Sequence, residues 1–189
     1  DSRTGWAGGK LNATSILLEP LSDEQSESLI SHLLGATDLA DDVRARIVRA
    51  AEGNPLFVEQ MLAMLIDDDL VRSVDGRWVA TSDRLEVSVP PTIAALLSAR
   101  LDRLDADERD LIGRASVVGK VFYRGAVRDL PGGLPDERID TLLQALVRKD
   151  LIRPDRSTLS GEDAFRFRHI LVQESAYGAL PKGMRATLH

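Results

Sequence analysis

The stretch FRFRHILVQESAY, Phe165 to Tyr177, decides how this chain is read. Its first half alternates apolar and basic residues with the period of two of a strand. Its second half carries apolar residues at helical spacing, so a strand runs directly into a helix with His169 at the junction. A histidine there has two readings. It is a half-buried packing residue with one nitrogen satisfied, or an imidazole held at a helix start where it can meet a ligand.

Upstream of this stretch, Asp136 to Lys149 reads as a helix through Ile139, Leu142, Leu143, Leu146 and Val147, after a break at Pro131-Gly132-Gly133. Leu151 to Arg153 and Ala164 to His169 then read as extended segments flanking a polar loop. A helix from Asp105 to Gly119 carries Leu111, Ile112, Ala115 and Val118, and a short one spans Tyr123 to Leu130. Before them, Pro90-Pro91 precedes a long helix with Ile93, Leu96, Leu97, Leu101 and Leu104 on one side. Helices followed by a two-stranded wing form the winged-helix arrangement, a relative of helix-turn-helix modules. The last helix is expected to begin near Ile170 and to run on through Tyr177 to His189.

The N-terminal part repeats the theme. Ser22 and Gln25 have capping-box spacing ahead of Leu29, Ile30, Leu33 and Leu34. Asp41 or Asp42 opens a second helix through Val43, Ile47, Val48 and Ala51, which Gly53 stops. Asn54 as N-cap and Pro55 as first helical residue start a third, carrying Phe57, Met61, Leu62 and Leu65 inward. Asp75-Gly76 between two short alternating runs, Leu70–Val74 and Arg77–Ala80, predicts a hairpin. Leu65-Ile-Asp-Asp-Asp-Leu-Val-Arg72 echoes Leu146-Val-Arg-Lys-Asp-Leu-Ile-Arg153, each octapeptide ending a helix and entering a hairpin. The fold class is therefore mainly α. The expected organisation is a tail at 1–21 containing a short strand at Thr14 to Leu18, a helical subdomain with a hairpin at 22–90, and a winged-helix domain at 91–189 leading into a C-terminal helix.

The 189 residues, 43% hydrophobic, suffice for one large or two small cores. No apolar run reaches the roughly 18 residues of a membrane span, and no basic-then-apolar leader opens the chain, so a cytoplasmic protein is expected. The absence of cysteine removes disulfides, zinc-thiolate sites and thiol catalysis, and His32, His169 and His189 have no metal-ligand spacing. The formal charge of -6 argues against general nucleic-acid binding. From Arg148 onward eight Lys/Arg face five Asp/Glu, which leaves +3 there and -9 elsewhere, an excess small enough for an ordinary solvated surface.

Thr4 to Leu11 fails as a phosphate loop: Thr4 stands where the first glycine is needed and Leu11 where a magnesium-binding hydroxyl is needed. No nucleophile elbow, H-E-x-x-H or Ser/His/Asp arrangement is present, so no catalytic residue and no metal ligand is assigned. Asp67-Asp68-Asp69 lacks calcium-loop spacing and reads as a solvated helix end.

Gly53-Asn54-Pro55-Leu56 and the Phe-Arg-His step at Phe167 to His169 together resemble two signatures of the STAND class, the signal-transduction ATPases with numerous domains. With LEPLS near Leu18 to Ser22 and ARLDRL at Ala99 to Leu104, the order looks like that of bacterial members, among them LuxR- and SARP-type regulators and multidomain class III adenylate or guanylate cyclases. The resemblance implies that ADP or ATP, with Mg, is held mainly by a separate P-loop domain of the same chain. A helical lid would contribute Gly53, Pro55 and Leu56 near the base. The winged helix would contribute His169 to the phosphates, although Ile170 stands where plant and animal members have an aspartate. Such a fragment would not be catalytic alone and would lead into helical repeats or an effector domain. Two other readings remain: a DNA-binding regulator, reading bases with Arg138, Gln144, Arg148 and Lys149 although Asp136, Glu137 and Asp140 crowd that helix start, and a protein-interaction domain.

Overall fold

The computed structural model describes residues 17–35, 39–81, 89–132 and 134–189. The Thr4–Leu11 segment, rejected as a phosphate loop, and most of the expected Thr14–Leu18 strand lie outside them. Leu17 and Leu18, which are described, form no strand and are exposed.

Three helices come first: α1 (Asp23–Leu34), α2 (Asp41–Ala51) and α3 (Pro55–Asp67). The capping box that starts α1 is formed in both directions, Gln25 N–H to Ser22 Oγ at 3.2 Å and Ser22 N–H to Gln25 Oε1 at 2.9 Å. Such a cap contributes about 1 kcal/mol. Their inward faces, with Ile30, Ile47, Met61 and Leu65 fully buried, make the first core. The chain then enters the hairpin β1 (Val71–Val74) and β2 (Arg77–Ala80), registered Val71 to Ala80 and Val74 to Arg77. Asp75 and Gly76 both take positive φ, 51° and 78°, as a type I′ turn requires.

Helix α4 (Ile93–Asp102) serves two cores: Leu96 belongs to the first, Leu97 and Leu101 to the second. Next come α5 (Ala106–Val118), β3 (Val121–Tyr123), α6 (Arg124–Asp129), α7 (Asp136–Arg148), β4 (Ile152–Asp155) and β5 (Ala164–Phe167). β5 lies between β3 and β4 and is antiparallel to both, pairing Arg166 with Val121 on one side and with Arg153 on the other. Phe122 and Phe167 are fully buried with ring centroids 5.6 Å apart, and they fasten this sheet to α5 and α7. Burying one such aromatic contributes about 1.5–3 kcal/mol.

β3 is an element that the sequence analysis did not anticipate. It has only three residues, and its pairing partner lies more than 40 positions away. The C-terminal segment also differs from the single helix expected through Tyr177 to His189. It forms α8 (Ile170–Ala179) and α9 (Lys182–Leu188), separated at Leu180-Pro181. Leu180 precedes a proline and takes ψ 133°, outside the helical region that proline denies its neighbour. The described residues are thus mainly helical, with one two-stranded and one three-stranded antiparallel sheet. No described helix is long and apolar enough to cross a membrane.

Candidate functional site

Gly53 sits at the corner between α2 and α3, buried and at φ 75°. Its carbonyl accepts Leu21 N–H at 2.9 Å, and a Cβ built on it would stand 2.5 Å from Leu21 O and 2.7 Å from Pro20 Cβ. The corner therefore admits only glycine, and its function is to fasten the segment before α1 to the start of α3. Asn54 caps α3, with Oδ1 accepting Leu56 N–H at 3.0 Å, and Pro55 occupies the first turn, where no amide donor is needed. Pro55 is exposed and Leu56 half-buried.

His169 is the N-cap of α8. Its backbone is extended, and its Nδ1 accepts Leu171 N–H at 3.2 Å. Because Nδ1 is the acceptor, the neutral ring must carry its proton on Nε2. That nitrogen has no partner among the described residues, and the residue is half-buried, so one N–H donor is left for a ligand or solvent. No hydrogen bond or ion pair among the described residues links His169 to Gly53, Pro55 or Leu56. Gly53, Pro55 and Leu56 lie at the α2–α3 corner, and His169 lies between β5 and α8.

What does join the two cores is Arg100, which the sequence analysis passed over. Its guanidinium, with the side chain 1% exposed, donates to Gln60 Oε1, to Asp67 Oδ2 at 2.8 Å and to Lys149 O at 2.6 Å. Asp68 pairs with Arg103 at 2.6 Å, and Lys149 Nζ reaches Glu108 Oε2 at 2.5 Å. The aspartates read as a solvated helix end are therefore partly ion-paired across the molecule. A signal for this was present in the sequence: Arg100 falls in phase with Leu96, Leu97 and Leu101 on the apolar side of α4.

The helix weighed for base contact, α7, has three of its charged residues, Asp136, Arg138 and Asp140, in ion pairs. Arg124 binds Asp140 at 2.5 Å and Asp136 at 2.9 Å, Arg138 binds Asp107 at 2.6 Å, and Lys149 is taken by Glu108. Arg148 and Gln144 remain exposed.

Residues 22–78 match the domain of unknown function DUF8739, a segment that opens at the N-cap of α1 and closes inside β2. The whole chain is similar to an uncharacterized protein of Rhizobium meliloti (strain 1021), with 27% identity over 199 aligned residues. It covers 18% of that protein, so the chain spans less than a fifth of the length of the curated relative it matches.

Proposed function

We propose that this chain is the lid and winged-helix portion of a STAND-type, nucleotide-switched signalling ATPase of the cytoplasm. In this reading α1–α3 with their hairpin are the lid, and α5 to β5, in the order helix, strand, helix, helix, strand, strand, are the winged helix. The observation that carries the proposal is the Nε2–H of His169, fixed as a donor by the cap on its other nitrogen and left without a partner among the described residues. A phosphate oxygen is the acceptor that such a donor suits, and a hydrogen bond to a charged group contributes about 1.5–3 kcal/mol. Gly53 and Pro55 hold the lid corner, in the place the family resemblance gives to the base-contacting turn. ADP or ATP, with Mg, would be held mainly by a P-loop domain of the same polypeptide, and an effector or helical repeats would read the state. The pairing of Arg138 with Asp107 and of Lys149 with Glu108 weighs against DNA as the partner.

The test is ADP binding by calorimetry on a chain extended N-terminally through that P-loop domain. His169→Asn keeps an N-cap but replaces the Nε2 donor with an amide on a shorter side chain, so roughly tenfold or greater weakening with unchanged folding is expected. Unchanged affinity in His169→Asn would return the residue to capping alone. Lack of binding by the unsubstituted chain would favour the protein-interaction reading.

A further inference from the structure

The first core and the second share α4, and from that helix the guanidinium of Arg100 reaches both. It binds the end of α3 through Gln60 and Asp67 and the end of α7 through the carbonyl of Lys149. To either side of it the lobes stand apart. A cleft of about 250 Å³ separates Leu33, Leu62 and Ile66 from Arg148 and Arg168, and another of about 280 Å³ separates Asp68 and Arg103 from Leu151. Apolar packing therefore does not lock the lobes at these two places.

A buried cation whose acceptors lie on two different bodies is satisfied in only one relative orientation. Rotation of either lobe strands the charge away from water, so the ion set selects a geometry more than it adds stability. Nε of Arg100 is buried without a partner among the described residues, which leaves this network incompletely satisfied there even when closed. Asp67 is 26% exposed, and it is the end of the network that solvent or a competing cation can reach.

We infer that Arg100 is a latch that fixes the lobe of α1–α3 against the lobe of α5–α8, and that losing its contact with Asp67 frees the lobes to swing about α4. This stands apart from the nucleotide proposal, because it is read without nucleotide.

The chain has no cysteine, so introduced pairs are the only labelling sites. Spin labels at Glu27→Cys on α1 and Thr141→Cys on α7, both exposed, report the separation across the lobes. Labels at Glu27→Cys and Arg49→Cys, both within the first lobe, report its integrity. In Asp67→Asn and Arg100→Met the cross-lobe distance distribution should broaden towards longer separations while the distribution within the lobe stays as in the unsubstituted chain. An unchanged cross-lobe distribution in Asp67→Asn would overturn the latch. So would broadening of both distributions together, since Arg100 would then be a core residue rather than a latch.

Discussion

Asp69 and Asp150 occupy the same place in two copies of one turn. Each follows the end of a helix at positive φ, 55° and 52°, and each is succeeded by a leucine whose N–H closes back on the helix, Leu70 to Leu65 O at 2.9 Å and Leu151 to Leu146 O at 3.1 Å. This is a Schellman-type ending, in which a left-handed residue turns the chain out of the helix and the following apolar residue covers its last turn. Both turns lead into the first strand of a hairpin, and Arg100 lies between them, bound to Asp67 of one and Lys149 of the other.

A non-glycine residue at such a position carries a left-handed cost of about 1–2 kcal/mol, which aspartate lessens but does not abolish. Asp69→Gly should therefore stabilise the chain by about 0.5–1 kcal/mol, and Asp69→Val should destabilise it by about 1 kcal/mol or more. Urea unfolding at neutral pH distinguishes the two. Equal midpoints for glycine and valine would mean that the turn carries no backbone strain.

Helices α1 and α3 were legible because each carries its own start signal and an apolar stripe, Ser22 with Gln25 and Asn54 with Pro55, whereas α2 and α7 have no side-chain cap and are marked by their stripes. The Asp75-Gly76 hairpin was legible for the same local reason. β3 was not, since Val121-Phe122-Tyr123 is too short to alternate and becomes a strand only through β5. The break at Pro181 was visible in the sequence but was not given its weight. The join between lobes was the least legible part. Gln60, Asp67, Arg100 and Lys149 lie far apart in sequence, and a charged residue on an apolar face gives no hint of its partner.

Gly53 should tolerate no side chain. Alanine there would meet the left-handed backbone cost, about 1–2 kcal/mol, and an overlap with Leu21 and Pro20 that backbone movement alone can relieve. Together these predict a loss of roughly 3 kcal/mol for Gly53→Ala, measured by urea unfolding. The neighbouring Pro55→Ala, at an exposed first-turn position, should change stability by less than about 1 kcal/mol. If the two variants matched, the close approach at the corner would not matter to the fold.

At His169, capping and ligand contact can be separated by choice of side chain. His169→Ala removes the acceptor for Leu171 N–H and should cost about 1 kcal/mol. His169→Asn supplies a carbonyl oxygen at the N-cap and should recover most of that loss. Thermal unfolding of the three proteins without nucleotide checks the structural half of this pair. Should His169→Ala melt with the unsubstituted chain, the cap contributes nothing and the fixed tautomer loses its basis.

Acid should weaken the chain partly through Asp140. Its hydrogen bonds to the Arg124 guanidinium hold its carboxyl below the usual value of 3.8. A carboxyl lowered in the folded state adds stability that is fully present above the unfolded value. That stability is lost as pH falls through the folded one. Asp155 is lowered likewise, first by Arg166 and then by the N–H of Arg156. Asp129 is lowered by Arg128, but these two are adjacent in sequence and keep much of their attraction in the unfolded chain, so that pair should contribute less. Asp140→Asn should therefore flatten the decline of the urea midpoint as pH falls below the usual carboxyl value of 3.8. Asp129→Asn should leave the decline nearly unchanged. Because Arg124 joins α6 to the first two turns of α7, the flattening would also report that this junction is intact in the folded chain and broken in the unfolded one. Identical declines in Asp140→Asn and the unsubstituted chain would mean that the ion pair is already offset by solvent.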